Sequence, residues 1–271
     1  MTEIPPAAHA EALRYTVEDG LARLILNRPA RLNAFNAELA HAWADATTDA
    51  VSRDDVGAIL IGAAGPHFCA GGDVIAMATE MHDGSEITDL AKVINRGIRA
   101  LTESSKPVVA AAQGTTAGGG LGILMCSDYA VVGENSRIGS LYANIGLTPD
   151  LSVSAQLARA VGERRALQLV LQDRLLTAAE AREWGLVAEV VAPDDVTTRA
   201  ERIARFWLEN ATAAYGQAKH LVRSAALTPF ADQLDAEAHA IGAALDTDEA
   251  HARIAAFAAA SVRKPAPQET A

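Results

Sequence analysis

The chain has 271 residues, 50% of them hydrophobic and 21% charged, with a formal net charge of −11. That length can bury a sizeable core, as one large domain or one domain with a small appendage, and an acidic balance without a basic stripe argues against nucleic acid as a partner. No run approaches the apolar length of a membrane span, and the opening MTEIPPAAHAEA has neither a charged n-region nor an apolar h-region, so the expectation is a cytoplasmic protein with no membrane partner.

In chain order, the first predicted element is a hairpin over 13–27, where LRYTV and LARLILN alternate around EDG. NAELAHAWADATTDAVS at 36–52 spaces Leu39, Trp43, Ala46 and Ala50 along one helical face. GAILIG at 57–62 is a short buried strand. Asp73 caps a helix-like stretch that Asp83-Gly84-Ser85 breaks, and 89–103 forms a further helix with Leu90, Val93, Ile94, Ile98 and Leu101 on one side. Pro107 begins the strand PVVAAA, a glycine-rich run opens a short helix through Leu121, Leu124 and Met125, and YAVVG returns as a strand. Thr177-Ala-Ala-Glu180 is a capping box, and Gly185 stops its helix before the strand LVAEVV. Strands thus alternate with helices to about residue 190, the pattern of an α/β protein.

From Asp194 the texture is nearly all helix. Ile203, Phe206 and Trp207 form one apolar set, and Leu234, Ala238, Ile241 and Leu245 form another, available for subunit contacts or for docking within the chain. KPAPQETA at the end reads as a frayed tail. Cys69 and Cys126 sit in apolar company without CxxC spacing, as reduced buried thiols do, and the seven histidines form no HxxxH or His/Cys cluster, so no metal site is expected.

The segment QGTTAGGGLG at 113–122 packs four glycines into its last five positions. A phosphate loop would need Lys-Ser/Thr after the last glycine, yet Leu121 and Gly122 stand there, and the G-x-G-x-x-G spacing also fails. Bare backbone can still present amide N–H groups to an anion that arises during a reaction.

Taken in order, LILNRPARLNAF (24–35), HFCAGGD (67–73), the glycine segment and GLTPDLSVSAQLARAVG (146–162) resemble the crotonase superfamily, the enoyl-CoA hydratase/isomerase family, from about Leu13 to Val191. The resemblance implies an α/β spiral of repeated ββα units over 1–192, a C-terminal helical trimerisation region over 193–263 and a tail at 264–271. It implies homotrimers or dimers of trimers, acyl-CoA thioester substrates, and coenzyme A as part of the substrate with no separate cofactor. By position, the N–H groups of Gly72 and Gly119 would hold the thioester oxygen as it gains charge. Ala70, Gly71 and Asp73 flank the first donor, with Asp73 expected as a helix cap. Arg31 and Leu32 lie where the family lets coenzyme A pass, Leu147 lies in the motif before Asp150, and the region from Ile75 to Glu86 is an expected pocket wall. Lys219 and Arg223 are candidates to reach a neighbour's coenzyme A, and His67 is expected in a loop.

A hydratase of this family uses two glutamates, and their positions here carry Gly122 and Tyr142. Glycine offers no acid or base, and tyrosine, with a reference pKa near 10, is a poor base. Asp150 in GLTPD remains. A carboxylate there is similar to that of a branch isomerising unsaturated acyl-CoA thioesters, including ring-derived phenylacetyl-CoA intermediates, in which one acid shuttles a proton between carbons. The same position resembles the nucleophile of a dehalogenating branch, where an aromatic residue at the place of Tyr142 positions the carboxylate; Asn95 stands where that branch has a water-activating histidine. Asp150 also precedes a helix-like segment and could be its N-cap. The reading is enoyl-CoA double-bond isomerisation with Asp150 as acid/base. The alternatives are a hydratase lacking both usual glutamates, a hydrolase or dehalogenase with Asp150 as nucleophile, and a non-catalytic acyl-CoA binder.

Overall fold

The structure, a computed structural model, describes residues 11–262. Strands β1 (Leu13–Glu18) and β2 (Leu21–Leu26) form the expected antiparallel hairpin, turned at Asp19 and Gly20, both with positive φ. Helix α1 (Ala37–Ser52) starts at Asn36, whose side chain accepts the Leu39 N–H at 3.1 Å, and it buries the four residues its spacing marked. Strand β3 (Ala58–Ala63) leads to α2 (Val74–Glu80) and α3 (Gly84–Glu103). Residues 83–85 do interrupt the helical run, but they also begin α3, which starts at Gly84 rather than 89. The Asp83 carboxylate accepts the Ser85 N–H at 2.7 Å and caps the added turn.

Next come β4 (Val108–Ala112), β5 (Thr115–Ala117), α4 (Gly119–Met125), β6 (Tyr129–Gly133) and β7 (Arg137–Gly139). Helices α5 (Val153–Val161) and α6 (Glu163–Val170) precede β8 (Leu176–Thr177), α7 (Ala178–Glu183) and β9 (Glu189–Val191). Both bonds of the capping box at Thr177 and Glu180 are present. Helices α8 (Val196–Glu209), α9 (Thr212–Ala225), α10 (Phe230–Leu245) and α11 (Asp248–Val262) complete the described chain.

The main sheet has six strands in the order β1-β2-β3-β4-β6-β9, parallel beyond the hairpin. A smaller sheet holds β5-β7-β8, and single parallel bridges Cys69↔Thr116 and Phe35↔Gly72 prolong it. Four of the six main strands are therefore followed by a short extended stretch in a second layer and then by a helix. The units run β2–Phe35–α1, β3–Cys69 to Gly72–α2, β4–β5–α4 and β6–β7–α5. This is the ββα repeat, and it delivers helix starts from distant parts of the chain to one layer.

One face of the main sheet packs Leu24, Ile59, Ile61 and Val108 with Trp43 and Leu39 of α1 and Ile98 of α3. The other packs Leu21, Leu60, Val109 and Val131 under Val196, Ala200 and Ala204 of α8. The helical part thus opens with a helix that completes the core. Among the described residues no helix is long and apolar enough to cross a membrane, and no group of three or more His, Cys, Asp or Glu could hold a metal.

Candidate active site

The two glycine-bearing motifs meet. Phe68 N donates to Gln113 O at 2.8 Å, and Ala117 N to Cys69 O at 2.9 Å. His67, expected only in a loop, joins this seam by accepting the Thr115 N–H on Nδ1 at 3.1 Å. At the seam's end Gly71 takes φ +107, open to glycine alone, and a Cβ there would lie 3.1 Å from both the Ala117 oxygen and the Gly119 nitrogen. Bare backbone at Gly71 is what lets the loop lie against Gly118 and Gly119. Gly118, at φ 53 and ψ −130, turns the chain into α4 and makes Gly119 its first residue.

In the parallel bridge to Phe35, Phe35 N donates to Gly71 O and Asp73 N donates to Phe35 O. That alternation leaves the Gly72 N–H out of the ladder, and Gly119 as first helical residue has no intrahelical acceptor. Neither N–H has a partner among the described residues. Two free main-chain donors thus flank the contact between the motifs, one of them at a helix N-terminus where the dipole favours negative charge. Of the flanking positions, the Ala70 N–H is spent on the Leu32 carbonyl at 3.0 Å, so Ala70 and Leu32 brace the loop.

Asp73 is the cap it was expected to be. Its Oδ1 accepts the Ala76 N–H at 3.2 Å, and its Oδ2 pairs with Arg28 Nη2 at 2.9 Å. Burial alone would raise its pKa, but the Ala76 N–H and the Arg28 guanidinium outweigh burial and hold the carboxyl below its usual range.

Asp150 is a different carboxylate. It does not cap α5: the helix begins at Val153, the N-cap is Ser152, and no side chain bonds that cap. The N-cap alternative therefore fails. Leu151 and Ser152 both turn left-handed, at φ 47 and 68, and carry Asp150 off the helix axis. Its Oδ1 instead accepts the Tyr142 hydroxyl at 2.6 Å, and no other side chain among the described residues bonds it. Burial pushes the Asp150 pKa up, with the Tyr142 hydrogen bond opposing. Tyr142 is 8% exposed; its burial and the facing Asp150 charge push its own pKa far above the usual tyrosine range, so it stays a proton donor.

Two residues missed in the sequence join these parts. Leu151 is 4% exposed; its Cδ1 would lie 2.7 Å from a Cβ on Gly119, and its carbonyl oxygen would overlap a Cβ on Gly122. Glycine at 122 is therefore a packing requirement as well as a missing acid. Met77, on the expected pocket wall, sets its Cε where a Cβ on Gly72 would be. No motif flags either one, because each acts by proximity across the fold.

The remaining candidates lie at the rim. Arg31 and Leu32 are exposed, in the tight turn that closes at Leu32, and no ion partner is found for Arg31 among the described residues. Leu147 is exposed and donates its N–H to Tyr142 O at 3.1 Å. Lys219 and Arg223, the candidates to reach a neighbour's coenzyme A, are engaged within the chain. Lys219 is buried, donating to Leu101 O at 2.7 Å and Lys106 O at 2.6 Å and pairing with Asp128 at 3.1 Å. Arg223 bonds Asp128 at 2.8 Å and Gln156 at 2.8 Å.

Known proteins share this arrangement of sequence and fold. The sequence pattern of the family described as enoyl-CoA hydratase/isomerase matches residues 16–265. A 1,2-epoxyphenylacetyl-CoA isomerase from Escherichia coli is 32% identical over 226 residues, covering 82% of this chain and 85% of that protein. A probable enoyl-CoA hydratase from Mycobacterium bovis is 30% identical over 247 residues, covering 91% of this chain and 93% of that protein. Among solved structures, an enoyl-CoA hydratase/isomerase from Mycobacterium abscessus superposes with a TM-score of 0.86 at 31% identity, covering 92% of this chain and 96% of that one. The chain belongs to the enoyl-CoA hydratase/isomerase family of the crotonase superfamily.

Proposed function

We propose that the protein is an enoyl-CoA double-bond isomerase with Asp150 as its single acid/base and the N–H groups of Gly72 and Gly119 as its oxyanion hole. The ionised Asp150 takes a proton from one carbon of the acyl chain as that C–H bond breaks. The electron pair spreads through the conjugated system onto the thioester oxygen, which lies against the two N–H donors. The same proton then returns to the carbon at the other end of the system, the double bond shifts, and Asp150 is ionised again. Donors of this kind act because they are already oriented when charge arrives. Coenzyme A would pass the exposed Arg31 and Leu32, where the guanidinium meets a phosphate. Leu147, beside the Tyr142–Asp150 pair, would line the acyl side.

The observation that carries this reading is the Tyr142–Asp150 hydrogen bond of 2.6 Å. It spends one carboxylate oxygen on orientation and leaves the other for a proton. Hydration by two acids has no support at Gly122, where no side chain fits. Nucleophilic use of Asp150 is disfavoured at Asn95, because an asparagine amide offers no base to activate the water that would release an acyl ester.

Asp150→Asn is expected to lower isomerisation of a 3-enoyl-CoA by at least about 100-fold, since general acid–base groups supply roughly 100- to 10,000-fold, while thioester binding persists. Unchanged turnover in the variant would rule the reading out. Subunit assembly through the C-terminal helices belongs to the same proposal: Phe230 and Ile241 of α10 are 79% and 73% exposed, a cost that burial between subunits removes.

A further inference from the structure

Resting on the isomerase reading, we infer that Leu151 is a specificity-determining residue that keeps both water and any second acid away from the oxyanion donor. Gly119 and Gly122 lie three positions apart on α4, so they share one helix face. Both face Leu151: its Cδ1 covers the first, and its carbonyl oxygen and Cβ occupy the space beside the second. One leucine therefore seals a full turn of the helix that carries a donor N–H.

The seal depends on backbone shape as well as on the side chain. Leu151 and Ser152 are consecutive left-handed residues, and the Leu151 carbonyl lies against α4 while the Asp150 carboxylate meets Tyr142. The Asp150 N-terminal neighbours do not share this task, because Leu147 is 40% exposed and Ile145 is 49% exposed. A thioester whose oxygen rests on Gly119 would thus meet the Leu151 side chain on the α4 side, with no second carboxylate at position 122. Proton return from Asp150 then has no competitor, and the intermediate resolves to isomer.

Removing the Leu151 side chain should admit water beside Gly119. Water can then add across the conjugated double bond, its oxygen bonding the β-carbon and its proton the α-carbon, to give a 3-hydroxyacyl-CoA. The experiment incubates the purified full chain with 3-hexenoyl-CoA in heavy-oxygen water and measures labelled 3-hydroxyacyl-CoA against 2-hexenoyl-CoA by mass spectrometry. Wild type and Leu151→Met are expected to give almost only isomer. Leu151→Ala is expected to raise the hydrated-to-isomerised ratio at least tenfold. Leu151→Gly, which loses the same side chain but adopts a left-handed backbone readily, gives the same reading should the alanine variant fail to fold. Folded alanine and glycine variants with a ratio within twofold of wild type would overturn the inference while leaving the isomerase reading intact. A wild type that isomerises nothing would overturn both.

Discussion

Asp150 and Tyr142 show how burial and one hydrogen bond oppose each other at a single carboxylate. Burial favours the protonated acid, and the phenol donor favours the carboxylate; burial wins, so Asp150 titrates above its ordinary value of 3.8. On the isomerase reading the base form is ionised, so activity falls as pH drops through the Asp150 pKa. Tyr142→Phe removes the opposing donor, and the pKa must then rise further. A hydrogen bond to a charged group is worth about 1.5–3 kcal/mol, so the acid limb of the kcat profile should move up by roughly 1–2 pH units. A profile that stays in place would show that the phenol does not act on this carboxylate. The sequence supplied both residues but not their bond: Tyr142 is eight positions from Asp150, and only the turn between them closes the distance.

The elements place backbone where side chains would otherwise be needed. Gly119 is the first residue of α4, the one helical position where proline is welcome, and Gly118 before it sits in the mirror image of the extended region that a proline requires of its predecessor. Gly119→Pro thus removes the N–H, and the Cβ it adds meets the tip of Leu151 at 2.7 Å. Loss of one oxyanion donor costs about 2.7–4 kcal/mol, so kcat should fall roughly 100- to 1,000-fold with folding retained. Turnover near wild type would mean that this N–H does not touch the reacting oxygen.

Element by element, the long strands and helices were legible because periodicity runs through them. The short strands β5, β7 and β8 were not, because two or three residues cannot display an alternation. The start of α5 was misplaced for a related reason. Asp150 is a good N-cap by composition, and nothing in one sequence reveals that Leu151 and Ser152 turn left-handed after it. That conformation is held by packing on glycines some thirty positions away. The glycines themselves were conspicuous, yet their purpose at 122, room for the Leu151 carbonyl, exists only in the fold.

At the scale of the whole molecule, an ion cluster around the buried Lys219 ties the C-terminal helices to the spiral. Asp128 accepts the Val108 N–H at 2.8 Å, pairs with Lys219 and Arg223 of α9, and so links β4, the start of β6 and the helical region. Burial pulls the Lys219 pKa down and the Asp128 charge opposes it; two carbonyl acceptors complete its shell. Lys219→Met leaves the Leu101 and Lys106 carbonyls without the donor they share, and a buried acceptor left unsatisfied costs about 1–3 kcal/mol. Arg223 still faces Asp128 in Lys219→Met, so a loss of about 1–3 kcal/mol is expected in denaturant unfolding. A loss below about 1 kcal/mol would show that the cluster is not what anchors these helices. Basic residues on a C-terminal helix look in sequence like ligands for a phosphate; their inward direction is a property of packing, which composition does not encode.

The central claim is that two main-chain amides, brought together by the ββα repeat, hold one thioester oxygen while Asp150 moves a proton. A crystal structure of the Asp150→Asn variant with a bound 3-enoyl-CoA tests it most directly. The account predicts the thioester oxygen about 2.7–3.1 Å from both Gly72 N and Gly119 N, with the residue 150 side chain about 3–3.5 Å from the carbons that exchange the proton. A thioester oxygen bound elsewhere, with those two amides facing solvent or side chains, would contradict it.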